Sequence, residues 1–557
     1  MRSASGQRER SRDRSGPVET RTPLRVCDGE TVLLLLQHYQ LSPSPPVDVD
    51  MRSGCRSALL IFSLLISTSS SLSPAPKLLV ISLDGFRPDY VDPNRTPNLY
   101  KMSAEGVDGR GMRSVFGTKT YPNHMSIATG LYEEEHGIVH NAMFDPVFNA
   151  TFDETNNEER WWDNGRSNPI WTANQAENDD HVRNSGVIMW PGSQVRYRNG
   201  KVIPKFVKPY ESEPNLTQVA DTIISWFNAD ANCIFTYINQ PDETSHLYGP
   251  FSDQVQAVVR RLDSFIGYLT KRLREESLLP EVNLIVLSDH GMAEVTNDRV
   301  IEMNTFLNRS AYELYGRSPL WTIKPKSGQL DYVYDALRHE SDKRKTFRVY
   351  RKSEIPESYH YKWNRRISDL VLVAEEGYDI VDEKKHLKAV DGPVWGNHGY
   401  DNSVPSMRPL FLAHGPAFRS PVRIDDLFLN IDLYPLMCMV LHLFPLERFP
   451  SSGSLTVLHR ILKPIVREAA ESGNVLSVLS AVLVAAALLC AGAACFVLCT
   501  ASSSGRRRKP VAADWDPGVT EFDFGQQFPC PRRKVRVTPS RSQSESRSLL
   551  LDSDHSL

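Results

Sequence analysis

Three short apolar runs that each lead into an aspartate constrain this chain more than any other feature of its sequence. KLLVIS at 77–82 leads into Asp84-Gly85, CIFTYI at 233–238 into Asp242 and His246, and NLIVLS at 283–288 into Asp289-His290-Gly291. Continuous apolar runs of this length, bounded by turn residues, are strands of a parallel sheet buried on both faces. Between the second and third runs, Ser252 can cap a helix. Val255, Val258, Val259, Leu262, Phe265, Ile266, Leu269 and Leu273 then recur at helical spacing on one side of it. Strand, helix, strand is a right-handed crossover. In such sheets ligands bind beyond the carboxyl ends of the strands. The expected fold class is α/β, a three-layer α/β/α arrangement with a mostly parallel central sheet.

One aspartate after a strand is ordinarily a turn residue or a helix cap. Three such endings, together with His398 in Gly396-Asn397-His398-Gly399, point to a metal centre built from Asp84, Asp242, His246, Asp289, His290 and His398. Mixed carboxylate and imidazole ligands suit Zn²⁺ better than Mg²⁺ or Ca²⁺, which prefer oxygen alone. Six ligands exceed one tetrahedral site and suit two open ones. His246 follows Asp242 by one helical turn, so both can face one metal. In Lys119-Thr120-Tyr121-Pro122-Asn123-His124, Pro122 fits a first helical turn and puts Thr120 near the cap. A phosphate there would meet free backbone N–H groups.

The remaining sequence bears on location. Lys and Arg number 64 and Asp and Glu 67, a net charge of −3, which excludes a globally basic protein, and no nucleic-acid polymer is expected as partner. Residues 58–66 are an apolar run after Arg52 and Arg56 and before small residues, the layout of a secretory signal peptide. Met51 just precedes it, so 1–50 is expected to be an upstream extension and 51–71 the signal peptide. Residues 475–499 carry no charge, reach about 37 Å as a helix, and meet Arg506-Arg507-Arg508-Lys509 soon after. The positive-inside rule then gives an extracellular catalytic domain at 72–450 and a juxtamembrane linker at 451–474. A transmembrane helix at 475–499 and a disordered cytoplasmic tail at 500–557 complete the expected layout: a single-pass type I protein of the plasma membrane. Sequons at Asn94, Asn149, Asn215 and Asn308 are compatible with it. Only Cys233 and Cys438 lie within the central region, and their pairing is left open, as is the oligomeric state.

Longer motifs carry a resemblance. LVISLDGFRPDY, VFGTKTYPNHMSIATGLYEEEHGIVHN, PIWTANQ, MWPGSQV, PDETSHLYGP, LIVLSDHGM and WGNHGYDN occur in order between about Lys77 and Phe444. They resemble the ectonucleotide pyrophosphatase/phosphodiesterase family of the alkaline phosphatase superfamily, most closely its compact type I membrane members, the fourth and fifth. The resemblance implies an alkaline-phosphatase-like fold and two zinc ions, one held by Asp84, Thr120, Asp289 and His290, the other by Asp242, His246 and His398. Thr120 would be the nucleophile and form a phospho-threonine intermediate. Asn141 would donate to a phosphate oxygen, and Tyr121 and Tyr210 would sandwich a nucleobase. The implied activity is cleavage of nucleotide phosphodiester or pyrophosphate bonds with release of a nucleoside monophosphate. A choline-type phosphodiesterase and a catalytically weak surface glycoprotein are the alternatives. The chain departs from the family at Asn239-Gln240, where an acidic residue is usual, at Ser245, where glycine is, and at Leu83, where phenylalanine is common.

Overall fold

The computed structural model describes residues 75–177, 182–383, 392–444 and 446–470. An eight-stranded sheet organises them: β1 (Lys77–Leu83), β2 (Val107–Gly109), β3 (Asn184–Ile188), β4 (Phe206–Lys208), β5 (Ala231–Ile238), β6 (Val282–Leu287), β7 (Phe411–His414) and β8 (Val422–Ile424). Their spatial order is β8-β2-β7-β6-β1-β5-β3-β4. The three apolar runs of the sequence are thus the three central neighbours. Leu79 of β1 lies opposite Ile234 on one side and Leu284 on the other, both pairings parallel. Every pairing is parallel except the two made by β7. Successive strand residues point to opposite faces. All of β1 after Lys77 is buried, so both of its faces are covered.

The helices that cover the sheet form two groups. In the first, α1 (Pro97–Glu105) and α3 (Leu216–Asn228) pack on α5 (Asp253–Glu275). In the second, α2 (Thr120–Thr129) and the helix Ile170–Ala176 pack on α6 (Leu433–Leu441), which rests on β1. Helix α5 is the crossover expected between β5 and β6. The Ser252 hydroxyl accepts from the Val255 N–H, and the apolar stripe is buried apart from the partly exposed Val258. Cys233 and Cys438 are free, buried thiols.

Between β6 and β7 lies an insertion that the apolar runs did not announce. Strands Tyr312–Arg317, Leu320–Pro325, Leu370–Ala374 and Phe347–Arg351 form an antiparallel sheet in that spatial order. Helix Leu330–Arg344 packs against it, around a separate core that includes Ile323, Val333, Leu337, Phe347 and Leu372. The packed chain also continues past residue 450, the expected end of the catalytic domain. Leu458, Ile461, Leu462 and Val466 are buried in the main core, and the Lys463 N–H donates to Ala417 O. Among the described residues no helix is long and apolar enough to cross a membrane. The signal run 58–66, the span 475–499 and the tail 500–557 lie outside the described residues.

One buried acid bears on stability. Glu133 opens the short helix Glu133–His136, is fully buried, and has no hydrogen-bond partner on either carboxylate oxygen among the described residues. Burial raises its pKa well above the ordinary glutamate range. The folded chain therefore holds a proton that the unfolded chain releases above about pH 4.3. Stability is lost as pH rises through that window, by up to about 1.4 kcal/mol per unit until the folded pKa is reached. Glu133→Gln is expected to raise the urea midpoint at pH 8 and to leave it nearly unchanged at pH 4.5. An equal effect at the two pH values would show that Glu133 is ionised in the folded protein.

Candidate active site

The aspartates converge because their strands are neighbours. Asp84 follows β1, Asp289 stands two residues beyond β6, and Asp242 is the first residue of α4 (Asp242–Tyr248), which begins just after β5. With β1 between β5 and β6, all three reach one edge of the sheet. The turn at Gly85 is tight: its φ is +65°, and a Cβ there would lie 3.1 Å from the Asp242 side chain. His246 stands one turn along α4. His398 follows the strand Val394–Asn397, which pairs antiparallel with Ala293–Thr296 just beyond His290.

Two compact groups of ligating atoms result. Asp84, Asp289 and His290 form one and Asp242, His290 and His398 the other, with the atoms of each group all within 4.8 Å of one another. His290 Nε2 lies 3.3 Å from Asp84 Oδ1 and 3.0 Å from Asp289 Oδ2. Asp242 Oδ1 lies 3.5 Å from His398 Nε2, and Asp242 Oδ2 3.4 Å from His246 Nε2. Thr120 Oγ1 is 3.4 Å from His290 Nε2 and so borders the first group. His290 thus belongs to both groups, whereas the sequence reading assigned it to one. Its ring stacks on His398, the centroids 3.6 Å apart. His246 lies beside the second group, next to Asp242 and with its ring centroid 5.0 Å from that of His398.

The donor set fits divalent metal. Each histidine turns Nδ1 toward a backbone carbonyl: His290 to Gly291 O at 2.8 Å, His246 to Gly396 O at 2.8 Å and His398 to Thr118 O at 2.8 Å. That contact places a proton on Nδ1, so each ring, when neutral, offers its Nε2 lone pair on the side of the carboxylates. Asp84 Oδ2 accepts from the Tyr237 hydroxyl at 2.6 Å and Asp289 Oδ1 from the Gly85 N–H at 3.2 Å. The opposite oxygens, Asp84 Oδ1 and Asp289 Oδ2, and also Asp242 Oδ1, are buried with no hydrogen-bond partner among the described residues. Unpartnered buried carboxylates are costly unless a cation compensates them. Burial and the Asp289 and Asp242 charges raise Asp84, and burial with Asp242 pushes Asp289 up to about 8. Asp242 is buried too, yet the charge and hydrogen bond of His246 hold it low. Burial, His290 and Lys119 depress His398. Three crowded carboxylates beside histidine Nε2 atoms form a strong site for a cation.

The other candidate residues surround this centre. Thr120 is the first residue of α2, not its cap. Lys119 is the cap, with extended backbone and no side-chain cap bond, so the Thr120 hydroxyl is free to face the centre. Asn141 Oδ1 accepts the Tyr121 N–H at 3.0 Å, which commits the amide oxygen and leaves the NH₂ as donor. The Tyr121 ring lies against Phe152 and Trp162, and its hydroxyl donates to Glu154 O at 2.8 Å. Tyr210 is 53% exposed, and its hydroxyl accepts from Asn239 Nδ2 at 3.1 Å. Burial raises both phenols, and both count Asp84 and Glu154 among their charged neighbours. Gln240 turns toward Glu243 and Thr244, so the departure at that position is not directed at the clustered carboxylates and imidazoles.

The sequence reading missed three supporting residues. Tyr237 holds Asp84; a tyrosine in an otherwise apolar strand was its only signal. His124 ties α2 to β1, with Nδ1 2.7 Å from Thr120 O and Nε2 2.9 Å from Ser82 Oγ. Lys119 is buried and donates to His398 O at 2.6 Å and Ser318 O at 2.7 Å, joining the inserted sheet to the centre.

Comparison with known proteins agrees with this geometry. Residues 78–401 match the family described as type I phosphodiesterase / nucleotide pyrophosphatase. Human ectonucleotide pyrophosphatase/phosphodiesterase family member 5 is 38% identical over 403 residues, covering 71% of this chain and 80% of that protein. Human bis(5′-adenosyl)-triphosphatase ENPP4 is 38% identical over 404 residues, covering 71% and 84%. Murine member 5, solved as an inactive variant in complex with AMP, superposes with a TM-score of 0.64 at 40% identity, covering 70% of this chain and 100% of that one.

Proposed function

From a chain that belongs to the type I phosphodiesterase / nucleotide pyrophosphatase family, we propose a two-zinc enzyme that cleaves nucleotide phosphodiester or pyrophosphate bonds outside the cell. The observation that carries this reading is the set of three unpartnered buried carboxylate oxygens beside histidine Nε2 atoms, with the Thr120 hydroxyl 3.4 Å from one of them. Asp84, Asp289, His290 and Thr120 would hold one zinc, and Asp242, His246 and His398 the other, His290 lying close to both. Zinc bound there supplies Lewis-acid charge that lowers the pKa of a hydroxyl and offsets the charge of phosphoryl oxygens.

The chain's own groups do the rest. Thr120 Oγ1 bonds to phosphorus as the bond to the leaving oxygen breaks, giving a phospho-threonine; water then cleaves that ester and releases the nucleoside monophosphate. The Asn141 NH₂, fixed by the bond its oxygen accepts, donates where phosphoryl charge is held. Tyr121 and Tyr210 take the base. The extracellular, single-pass reading rests on 51–71 and 475–499, and the exposure of all four sequon asparagines is compatible with it.

The test is metal analysis of the purified protein, together with hydrolysis of a nucleotide phosphodiester and a phosphocholine ester offered side by side. Two zinc ions per chain are expected, with cleavage of the nucleotide that chelator removes and zinc restores. Cleavage of the choline ester alone would overturn the substrate and keep the chemistry. No zinc and no cleavage would leave the surface-glycoprotein reading.

A further inference from the structure

The rim of the site carries a cation that the steps above do not use. Arg317 ends the first strand of the inserted sheet, and the turn after it, at Ser318, is held by Lys119 Nζ at 2.7 Å. Lys119 adjoins Thr120. On the other side, His140 Nε2 lies 3.2 Å from Arg317 N and 3.1 Å from Leu320 O. His140 adjoins Asn141. The Arg317 backbone is therefore anchored through the immediate sequence neighbours of the two residues assigned to the phosphoryl group. Its guanidinium is anchored as well: Nη2 donates to Glu154 Oε2 at 3.0 Å, and Glu154 O accepts the Tyr121 hydroxyl at 2.8 Å.

The Arg317 side chain is 47% exposed, and among the described residues that ion pair is its single bond from the guanidinium. Four of its five N–H donors thus remain, in the planar fork that matches phosphate oxygens. The charge is felt within the site. Burial and then Lys119 lower the His140 imidazole most, and Arg317 lowers it further.

We propose that Arg317 binds the next phosphate of a substrate whose scissile phosphorus sits at Thr120, and so selects polyphosphate leaving groups over uncharged ones. This deepens the nucleotide-phosphodiesterase reading and rests on it. A dinucleoside polyphosphate presents an anionic leaving group to the rim, whereas a nitrophenyl ester presents none. A choline ester brings a cation toward the same guanidinium, which disfavours it.

The experiment uses the full-length, zinc-loaded protein with diadenosine triphosphate and with the p-nitrophenyl ester of thymidine monophosphate. The quantity read is the ratio of kcat/KM for the two substrates. Arg317→Gln is expected to lower that ratio about tenfold, mainly through the KM of the triphosphate, and Arg317→Lys to lower it less. The salt dependence of that KM should flatten in Arg317→Gln. An unchanged ratio overturns the inference, whether both activities fall together, as a structural role would give, or neither does. A wild-type protein that cleaves the ester and not the triphosphate also overturns it. Cleavage of neither substrate by wild type overturns the underlying reading, a result distinct from the others.

Discussion

Thr120→Ala is expected to lower nucleotide phosphodiester cleavage by about 10³-fold or more while leaving the fold and the metal content in place. Loss of a nucleophile has effects of at least this size in hydrolases that work through a covalent intermediate. The two consequences should separate because of how the residue is held. Its hydroxyl makes no cap bond for α2 and lies 3.4 Å from His290 Nε2. Thr120 would supply one ligand of the first zinc, but the carboxylates and imidazole that would hold it otherwise, from Asp84, Asp289 and His290, stay in place. Two zinc ions and an unchanged thermal midpoint should therefore accompany the loss of rate. Thr120→Ser keeps the hydroxyl and should recover activity to within about tenfold of wild type. Cleavage by Thr120→Ala within tenfold of wild type would remove Thr120 from the chemistry. Loss of zinc with the rate would assign the effect to its place as a ligand rather than to its attack on phosphorus.

The largest stability effect is expected at Asp145. Its carboxylate is fully buried and receives Arg366 Nε at 2.8 Å, Arg365 Nη2 at 2.8 Å and the Val147 N–H at 2.9 Å. Arg366 is itself buried, with further bonds to Gly137 O at 2.6 Å and Trp161 O at 3.0 Å. Asp145→Asn leaves that guanidinium without a counter-charge, which costs about 3–5 kcal/mol. An exposed pair is the control: Lys101 and Glu105 are 3.9 Å apart with both side chains more than 60% exposed, and Glu105→Gln should cost less than about 0.5 kcal/mol. Burial alone would raise the Asp145 carboxyl, but the hydrogen bonds from Arg365 and Arg366 hold it down to about 2. A depressed pKa contributes stability above the unfolded value near 3.9. That contribution is lost as pH falls from about 4 toward 2, so Asp145→Asn should flatten the acid limb of stability over that window. Equal urea midpoints for wild type and Asp145→Asn at pH 7 would sink the argument. The consequence reaches function, because the clamp closes the segment that carries Asn141 on one side of it and Glu154 on the other.

What was legible in the sequence followed from local periodicity. The three apolar runs could only be buried strands, and they are the neighbours β6, β1 and β5. The helix after Ser252 begins where its cap and stripe predict, since both signals lie within a few residues of one another. Asp84, Asp242, Asp289 and His290 could be named for the same reason: a residue just beyond a strand shares that strand's position in the sheet. His398 was found through its motif rather than its strand.

Less was legible where pairing is distant and exposure mixed. In the inserted antiparallel sheet, strands such as YELYGR are half-buried along most of their length and give no apolar run; LVLVA at 370–374 gives one, but without half-buried neighbours to pair it the sheet was not legible. Thr120 was placed near the cap of α2 and is the first residue of that helix, with Lys119 as the cap, a choice set by backbone conformation alone. The sequence by itself determined the α/β class, the ligating residue types and the edge at which they gather. Only the tertiary structure decided that His290 serves two groups, that Tyr237 and Lys119 support the centre, and that Arg317 stands at its rim. The Tyr237, Lys119 and Arg317 contacts join residues 153 to 279 positions apart, and no local pattern encodes a contact at that distance.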